Sequence, residues 1–511
     1  MFKKLMALMF VILMVLPMVV ACGKGGKTES TTGVVINGNA SADDKLSEED
    51  KKEREEIMKY VDELAAEHDF SGKTFTWIGG GSQSPQEDEE TGDVAQDALY
   101  FRQRDIEEKF GIAWSNYSPE AIEGSGSHPV VDAVTRDVLA GSQSYDAGYG
   151  TPVAVCQPLF LNNALADVSA YEGIDFSRKW WTATLLDTYH INGATYFLNG
   201  AIVTSNYTDT HAVLYNKEVA ASYGISEVYD IVKEGKWTFD KMFEVASEVP
   251  TNENGAGAYR YSQPNGLAIL YANDYAITCF NADSTPYIPS TLPTELSDLS
   301  DKFSAIFGDD AQTVHTKTTL NYASESFADK YDGFESRTEM FVEDKILFYF
   351  TTTGDAADLR EEDVEFGILP LPKGSDSQKD YISFAEPWGA FNVFVPKSTK
   401  DPDVTGVILE AMAALGLRYI KPAYYDTLLQ GRTVYDTASR DMVDIIFRTK
   451  VYDIIDFIAV GGSNNGDSDI VKVFKYAIQE SNEGVASKYK MQAKIVNNNI
   501  KSILTRIAAD N

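Results

Sequence analysis

The chain has 511 residues, room for two or three domains at roughly 150 residues each. Apolar residues make up 44% and charged residues 24%, ordinary globular values that exclude a largely disordered chain and a polytopic membrane protein. With 44 basic against 77 acidic residues the formal charge is −33, which argues against nucleic acid or an anionic bilayer surface as a partner, and three cysteines exclude both a disulfide scaffold and a thiolate zinc cluster.

Residues 1–22 open with Lys3 and Lys4, run apolar from Leu5 to Ala21 around Pro17, and end in small residues. That is the layout of an export signal, and the run is short for a membrane span. Val19-Val20-Ala21-Cys22 resembles the lipobox of bacterial lipoproteins. The resemblance implies cleavage after residue 21, diacylglyceryl modification of Cys22 and stable anchoring at a bilayer. Loss of Lys3 and Lys4 then takes the charge from −33 to −35. Cys156 and Cys279 are expected as two separate buried thiols rather than a bridge.

Residues 23–44, rich in Gly, Ser, Thr and Asn, read as a flexible tether. Residues 46–68 read as a helix with a solvated, mixed-charge first half, and the folded body is expected to begin near Gly72. Lys73–Ile78 is β-branched and aromatic and stops at Gly79-Gly80-Gly81, a strand running into a loop. A helix follows over Asp97–Phe110, then a strand over Ile112–Tyr117, a helix over Pro129–Ala140 and a strand over Tyr145–Tyr149. This alternation is that of a parallel sheet with crossover helices, whose ligand crevice lies at the carboxyl ends of the strands.

The second half repeats the texture without repeating the sequence. Strands are predicted at Ala212–Asn216, Ile346–Phe350, Phe366–Leu369 and Phe391–Val395. Helices are predicted at Trp237–Val249, Asp401–Leu417, Ser439–Asp456 and Ser487–Ala508. No solenoid period is present.

Several chemistries lack their motifs. The sequence holds no GxxxxGK[ST], HExxH or GxSxG, and Gly255-Ala-Gly257 is no dinucleotide fingerprint. The five histidines (His68, His128, His190, His211 and His315) are scattered, so a histidine zinc site or a Ser-His-Asp triad has poor support. Asn464-Asn465-Gly466-Asp467 does not have the spacing of a calcium loop. No metal and no cofactor are expected. Carboxylate pairs are certain to occur by chance among 77 acids, which leaves a glycosidase as the enzyme alternative.

Six segments in order carry a resemblance: Ala98–Gly111, Asp137–Asp146, Val213–Lys217, Tyr229–Asp240, Glu343–Phe348 and Gly367–Lys373. Together with the lipobox and tether they make the chain resemble the extracellular solute-binding proteins of family 1, the carbohydrate-type substrate-binding lipoproteins of Gram-positive ABC importers. The resemblance implies an α/β, two-lobed periplasmic-binding-protein-like fold of type II, hinge-linked, with the ligand in the cleft between lobes. The implied division is a signal peptide at 1–21, then anchor, linker and leading helix at 22–70. Lobe 1 takes 71–205 with 390–440, and lobe 2 takes 206–389 with 441–511. The implied protein is a non-enzymatic monomer on the extracellular face of the cytoplasmic membrane. It would capture a carbohydrate, an oligosaccharide by expectation, and pass it to permease subunits.

A sugar site needs flat aromatics for ring faces and short polar side chains for hydroxyls. Trp388, between Pro387 and Gly389 in a loop, is a stacking candidate, with Glu386 beside it as an acceptor. Asp209 is carried over by motif position, and Tyr207 is its aromatic neighbour. Tyr149 and Thr151 follow the third strand; Ser82 and Gln83 follow the first. Thr351 and Thr352 close an apolar strand before a helix, where N-capping competes with ligand binding. Trp77, Trp180, Trp181 and Trp237 read as packing. The other classes to be tested are a surface-anchored glycosidase, a peptide- or polyamine-binding lipoprotein of the same fold, and an adhesion or sensor lipoprotein.

Overall fold

The computed structural model describes residues 48–79, 90–122, 127–182, 188–191, 193–226, 228–252, 257–315, 336–359, 362–385, 387, 389–429, 437–458, 470–474 and 484–510. In chain order the elements that position the site are α1 (Glu48–Glu67), β1 (Thr74–Ile78), α2 (Val94–Phe110), β2 (Ala113–Tyr117), α3 (Pro129–Ala140), β3 (Ala147–Gly150), β4 (His211–Asn216) and α4 (Phe239–Ala246). They continue as β5 (Tyr259–Ser262), α5 (Thr294–Phe307), β6 (Thr313–Val314), β7 (Ile346–Thr352), α6 (Thr353–Asp358), β8 (Phe366–Leu369), β9 (Ser383–Phe384), β10 (Asn392–Phe394), α7 (Pro402–Leu429), α8 (Thr437–Arg448), β11 (Lys450–Val451) and α9 (Val485–Asp510).

Two sheets organise these elements. The first has the order β10-β3-β1-β2. β1 runs parallel to β2 in the register Thr74↔Ala113 to Ile78↔Tyr117, and parallel to β3. The late strand β10 closes the edge antiparallel to β3. Crossover helix α2 starts where Asp93 accepts from the Ala95 and Gln96 amides and ends at Gly111, whose φ of 65° only glycine adopts easily. A Cβ at Gly111 would also meet Ser71 Oγ at 2.5 Å. The second sheet has the order β6-β5-β7-β4-β8, with β7 parallel to β5 and antiparallel to β4. Its core is largely aromatic: Phe239 meets Phe303 edge-on at 4.8 Å, and Phe303 stacks on Phe307 at 5.9 Å. Trp237, wholly buried, donates its indole N–H to the Pro370 carbonyl at 3.1 Å.

The chain passes between the sheets along segments that pair with one another. Leu198 and Val393 exchange backbone bonds, Thr210 bridges Ala385, and β9 runs parallel to β11. The result is a two-lobed α/β fold with several crossings at its waist.

The leading helix corrects one expectation. The body does not begin at Gly72, because Ile57 and Val61 of α1 are buried in the same core as Phe75 and Val407. Its Tyr60 hydroxyl donates to Glu410 Oε1 at 3.0 Å, across 350 residues of sequence. Glu410, on α7 and fully buried, also accepts from Trp180 Nε1 at 3.1 Å, Trp181 Nε1 at 2.8 Å and the Asp175 amide at 3.2 Å. Burial pushes this carboxyl up to about 7, against the pull of its four donors. Trp77, Trp180, Trp181 and Trp237 are all buried, as packing residues should be. Cys156 is a buried free thiol, whereas free Cys279 is only half-buried, because its short strand lies near the surface.

Candidate ligand-binding site

The waist between the lobes is polar and buried. Asn199 Nδ2 donates to the Phe391 carbonyl at 2.8 Å and to Asn392 Oδ1 at 3.2 Å. The Tyr452 hydroxyl donates to Asn199 Oδ1 at 3.0 Å. Lys450 Nζ donates to the Asn206 carbonyl and to its Oδ1, and lies over the Phe447 ring at 5.3 Å. These contacts knit the three passing segments, 199–206, 391–392 and 450–452. Burial pulls the Lys450 ammonium down to about 7, and the nearby Asp209 carboxylate pushes it back up.

Asp209 sits where this waist meets the loop before β10. One carboxylate oxygen accepts from Thr208 Oγ1. The other lies so close to Gly389 that a Cβ there would come within 1.7 Å of it. Glycine at 389 is therefore what lets the two segments touch. Asp209 and Gly389 are thus brought together, although they lie 180 positions apart in the sequence. Trp388 and Glu386 themselves lie outside the described residues, as do Ser82, Gln83 and Cys22.

Tyr207 does not share the setting of Asp209. Its ring is 5% exposed, stacks on Tyr424 at 6.1 Å and meets Phe447 edge-on at 5.5 Å. Thr352 caps α6: its Oγ1 accepts from the Asp355 amide, and the Asp355 carboxylate returns a bond to the Thr352 amide. The Thr351 hydroxyl also donates to Asp355, and that of Thr353 donates to the Tyr207 carbonyl at 2.7 Å. Thr151, half-buried, opens a wide helical turn over Pro152–Cys156, its carbonyl accepting from the Val155 and Cys156 amides.

Tyr149 lies at the end of β3, between Trp77 at 5.8 Å and Phe391 at 5.5 Å. Its ring crosses Gly79, where a Cβ would fall 1.9 Å from a ring carbon. With Arg102 and Thr204 these rings line a small pocket beside the first sheet, whose enclosed part has room for about one water-sized group. Arg102 had no role in the sequence reading. The signal was its spacing: Leu99, Arg102, Ile106 and Phe110 fall on one helical stripe, and all four are buried.

Among the described residues, no group of His, Cys, Asp and Glu is arranged to hold a metal ion, and no helix is long and apolar enough to cross a membrane.

Known proteins place this architecture. No curated protein matches the chain. Solved structures match in fold. A sugar transporter from Rhizobium etli in an open conformation aligns at a TM-score of 0.54 with 12% identity, over 82% of this chain and 99% of that one. A cyclo/maltodextrin-binding protein complexed with maltotetraose aligns at 0.53 with 12% identity, over 86% and 98%. The apo form of RafE from Streptococcus pneumoniae aligns at 0.51 with 13% identity, over 84% and 98%. The family described as bacterial extracellular solute-binding protein matches residues 133–414, more than half of the chain. This match covers β3, the whole second sheet, the waist segments 199–206 and 391–392, and the first part of α7. The chain belongs to the bacterial extracellular solute-binding proteins.

Proposed function

We propose that this protein is the solute-binding component of an ABC importer, that it captures a carbohydrate between its lobes, and that it breaks no bond in doing so. The carrying observation is the half-buried ring of Phe391 placed beside a polar waist, in a chain of the solute-binding family. Ring faces for C–H groups next to short polar side chains for hydroxyls are what a saccharide requires. The maltotetraose complex of one fold relative supports the same substrate class.

In this reading Asp209 accepts a ligand hydroxyl and Tyr149 offers a ring edge. Trp388, Glu386, Ser82, Gln83 and Thr151 are the further ligand contacts of this proposal. Tyr207, Thr351 and Thr352 contribute by setting the shape of the loops that carry it. Closure follows from differential affinity: ligand touching both lobes favours the closed form. Lobe 1 comprises 71–205 with 390–440, and lobe 2 comprises 206–389 with 441–511. The mature chain is a monomer held to the outer face of the cytoplasmic membrane by lipid on Cys22, and it delivers its ligand to permease subunits.

The test is thermal-shift screening of the chain from residue 45 against saccharides, amino acids, peptides and polyamines. One glycan family should give a saturable rise in Tm by mass action, with the glycan recovered intact. Shortened glycan would make the protein a glycosidase, and a shift with peptides or polyamines alone would overturn the substrate class. Radiolabelled palmitate or glycerol should label the full-length chain and not a Cys22→Ser variant.

A further inference from the structure

Among the described residues, Arg102 is a buried charge without a counter-ion. It is 1% exposed, and among the described residues its one hydrogen bond runs from Nη1 to the Ile202 carbonyl at 2.6 Å. A guanidinium has five N–H donors in a fixed fork, so most of its capacity is unused. Burial lowers its pKa to about 10, which still leaves it charged at neutral pH. Trp77, 2% exposed, lines the same pocket, and its indole N–H has no partner. A buried cation therefore borders this space, and an indole N–H lies unpaired among the described residues in the same wall. Leaving such groups unpaired costs several kcal/mol in general. Glu410 shows how the same lobe treats a buried charge that serves the fold alone, surrounding it with four donors.

We propose that this pocket receives the carboxylate of an acidic saccharide, a uronic acid unit at one end of the bound glycan. The inference rests on the carbohydrate reading above and names its substrate class. The chemistry selects a carboxylate among anions. One guanidinium supplies one positive charge and two parallel N–H bonds, which match a planar monoanion. A phosphate dianion needs more donors than these apolar walls provide. The enclosed part of the pocket has room for about one water-sized group, so the carboxylate meets the guanidinium at its mouth while the sugar ring stays outside. Phe391, half-buried at the edge, then offers a face to that ring. The chain as a whole carries −33 and attracts no anion at long range, so a local, desolvated cation is what an acidic ligand would need.

The test is calorimetric titration of the native chain at physiological salt with uronic acids and oligouronides of the glucose, galactose and mannose series, each paired with its neutral counterpart. The acidic member of at least one pair should bind about tenfold tighter or more. Arg102→Gln should abolish that preference while neutral binding stays within about threefold. Should Arg102→Gln fail to fold, Trp77→Phe keeps the ring, removes the N–H and should reduce the preference about threefold. Neutral glycans binding as tightly as acidic ones would overturn the proposal and leave only a water in the pocket, with the carbohydrate reading intact. Equal loss of acidic and neutral binding in a folded Arg102→Gln variant would also overturn it. Binding of peptides or polyamines and of no glycan would remove the carbohydrate reading itself.

Discussion

Of the charges buried around the first sheet, Glu410 and Arg102 are handled in opposite ways. Glu410 is ringed by Tyr60, Trp180, Trp181 and the Asp175 amide, so α1, the 175–181 loop and α7 are tied at one point. Among the described residues, Arg102 gives one bond to a carbonyl and lines an aromatic pocket beside an unpartnered indole. The difference separates a charge that holds the fold from one held ready for something else. A saturated network is worth its desolvation only as a unit, and removing the hub strands every member. An unsaturated charge costs stability in the empty protein and returns it on binding.

The largest expected effect breaks this comparison most cleanly. Glu410→Ala strands four donors and should lower stability in urea by about 3–5 kcal/mol, as for one partner lost from a buried pair. Arg102→Met should change the empty protein by less than about 1 kcal/mol, or stabilise it, since an apolar residue replaces an uncompensated charge. Equal losses in the two variants would break the contrast. Next in size is Gly389→Ala, whose Cβ must displace Asp209. Overpacking there should cost about 1–3 kcal/mol and weaken glycan binding more than tenfold, read by calorimetry.

The contrast also has a pH signature. The Glu410 carboxyl is raised from 4.5 to about 7 in the folded chain. Between those values the folded state holds a proton that the unfolded state has released, so this group's contribution falls as pH rises through the window. Glu410→Gln should flatten that part of the stability profile. Arg102 contributes no slope there, because it is charged throughout. The smallest effect belongs to the capping box: Thr352→Ala should cost about 1 kcal/mol in thermal unfolding and leave glycan affinity unchanged within twofold.

Local elements were legible in the sequence wherever local rules decide them. The helix over Pro129–Ala140 and the strand over Phe366–Leu369 have the bounds that periodicity, proline and glycine dictate. The helix predicted over 439–456 stops at Arg448, because Lys450 and Val451 pair with Ser383 and Phe384, a partner that no local pattern shows. Likewise α7 runs past Leu417 and through Pro422 to Leu429. The site was legible only in part. Tyr149 stands at the pocket and Asp209 at the waist, but the Lys450–Asn206 bonds join residues 244 positions apart. Arg102 was readable as a charge on an apolar stripe, yet only the structure shows that no acid among the described residues answers it.

The most direct measurement is the ligand-induced rise in Tm, under one saturating acidic glycan, for the native chain, Glu410→Gln and Arg102→Met. The account predicts that Glu410→Gln melts earlier when empty and keeps the full ligand shift, whereas Arg102→Met melts near the native temperature and loses most of the shift. A ligand shift unchanged in Arg102→Met, or lost in Glu410→Gln in proportion to its stability, would contradict the account.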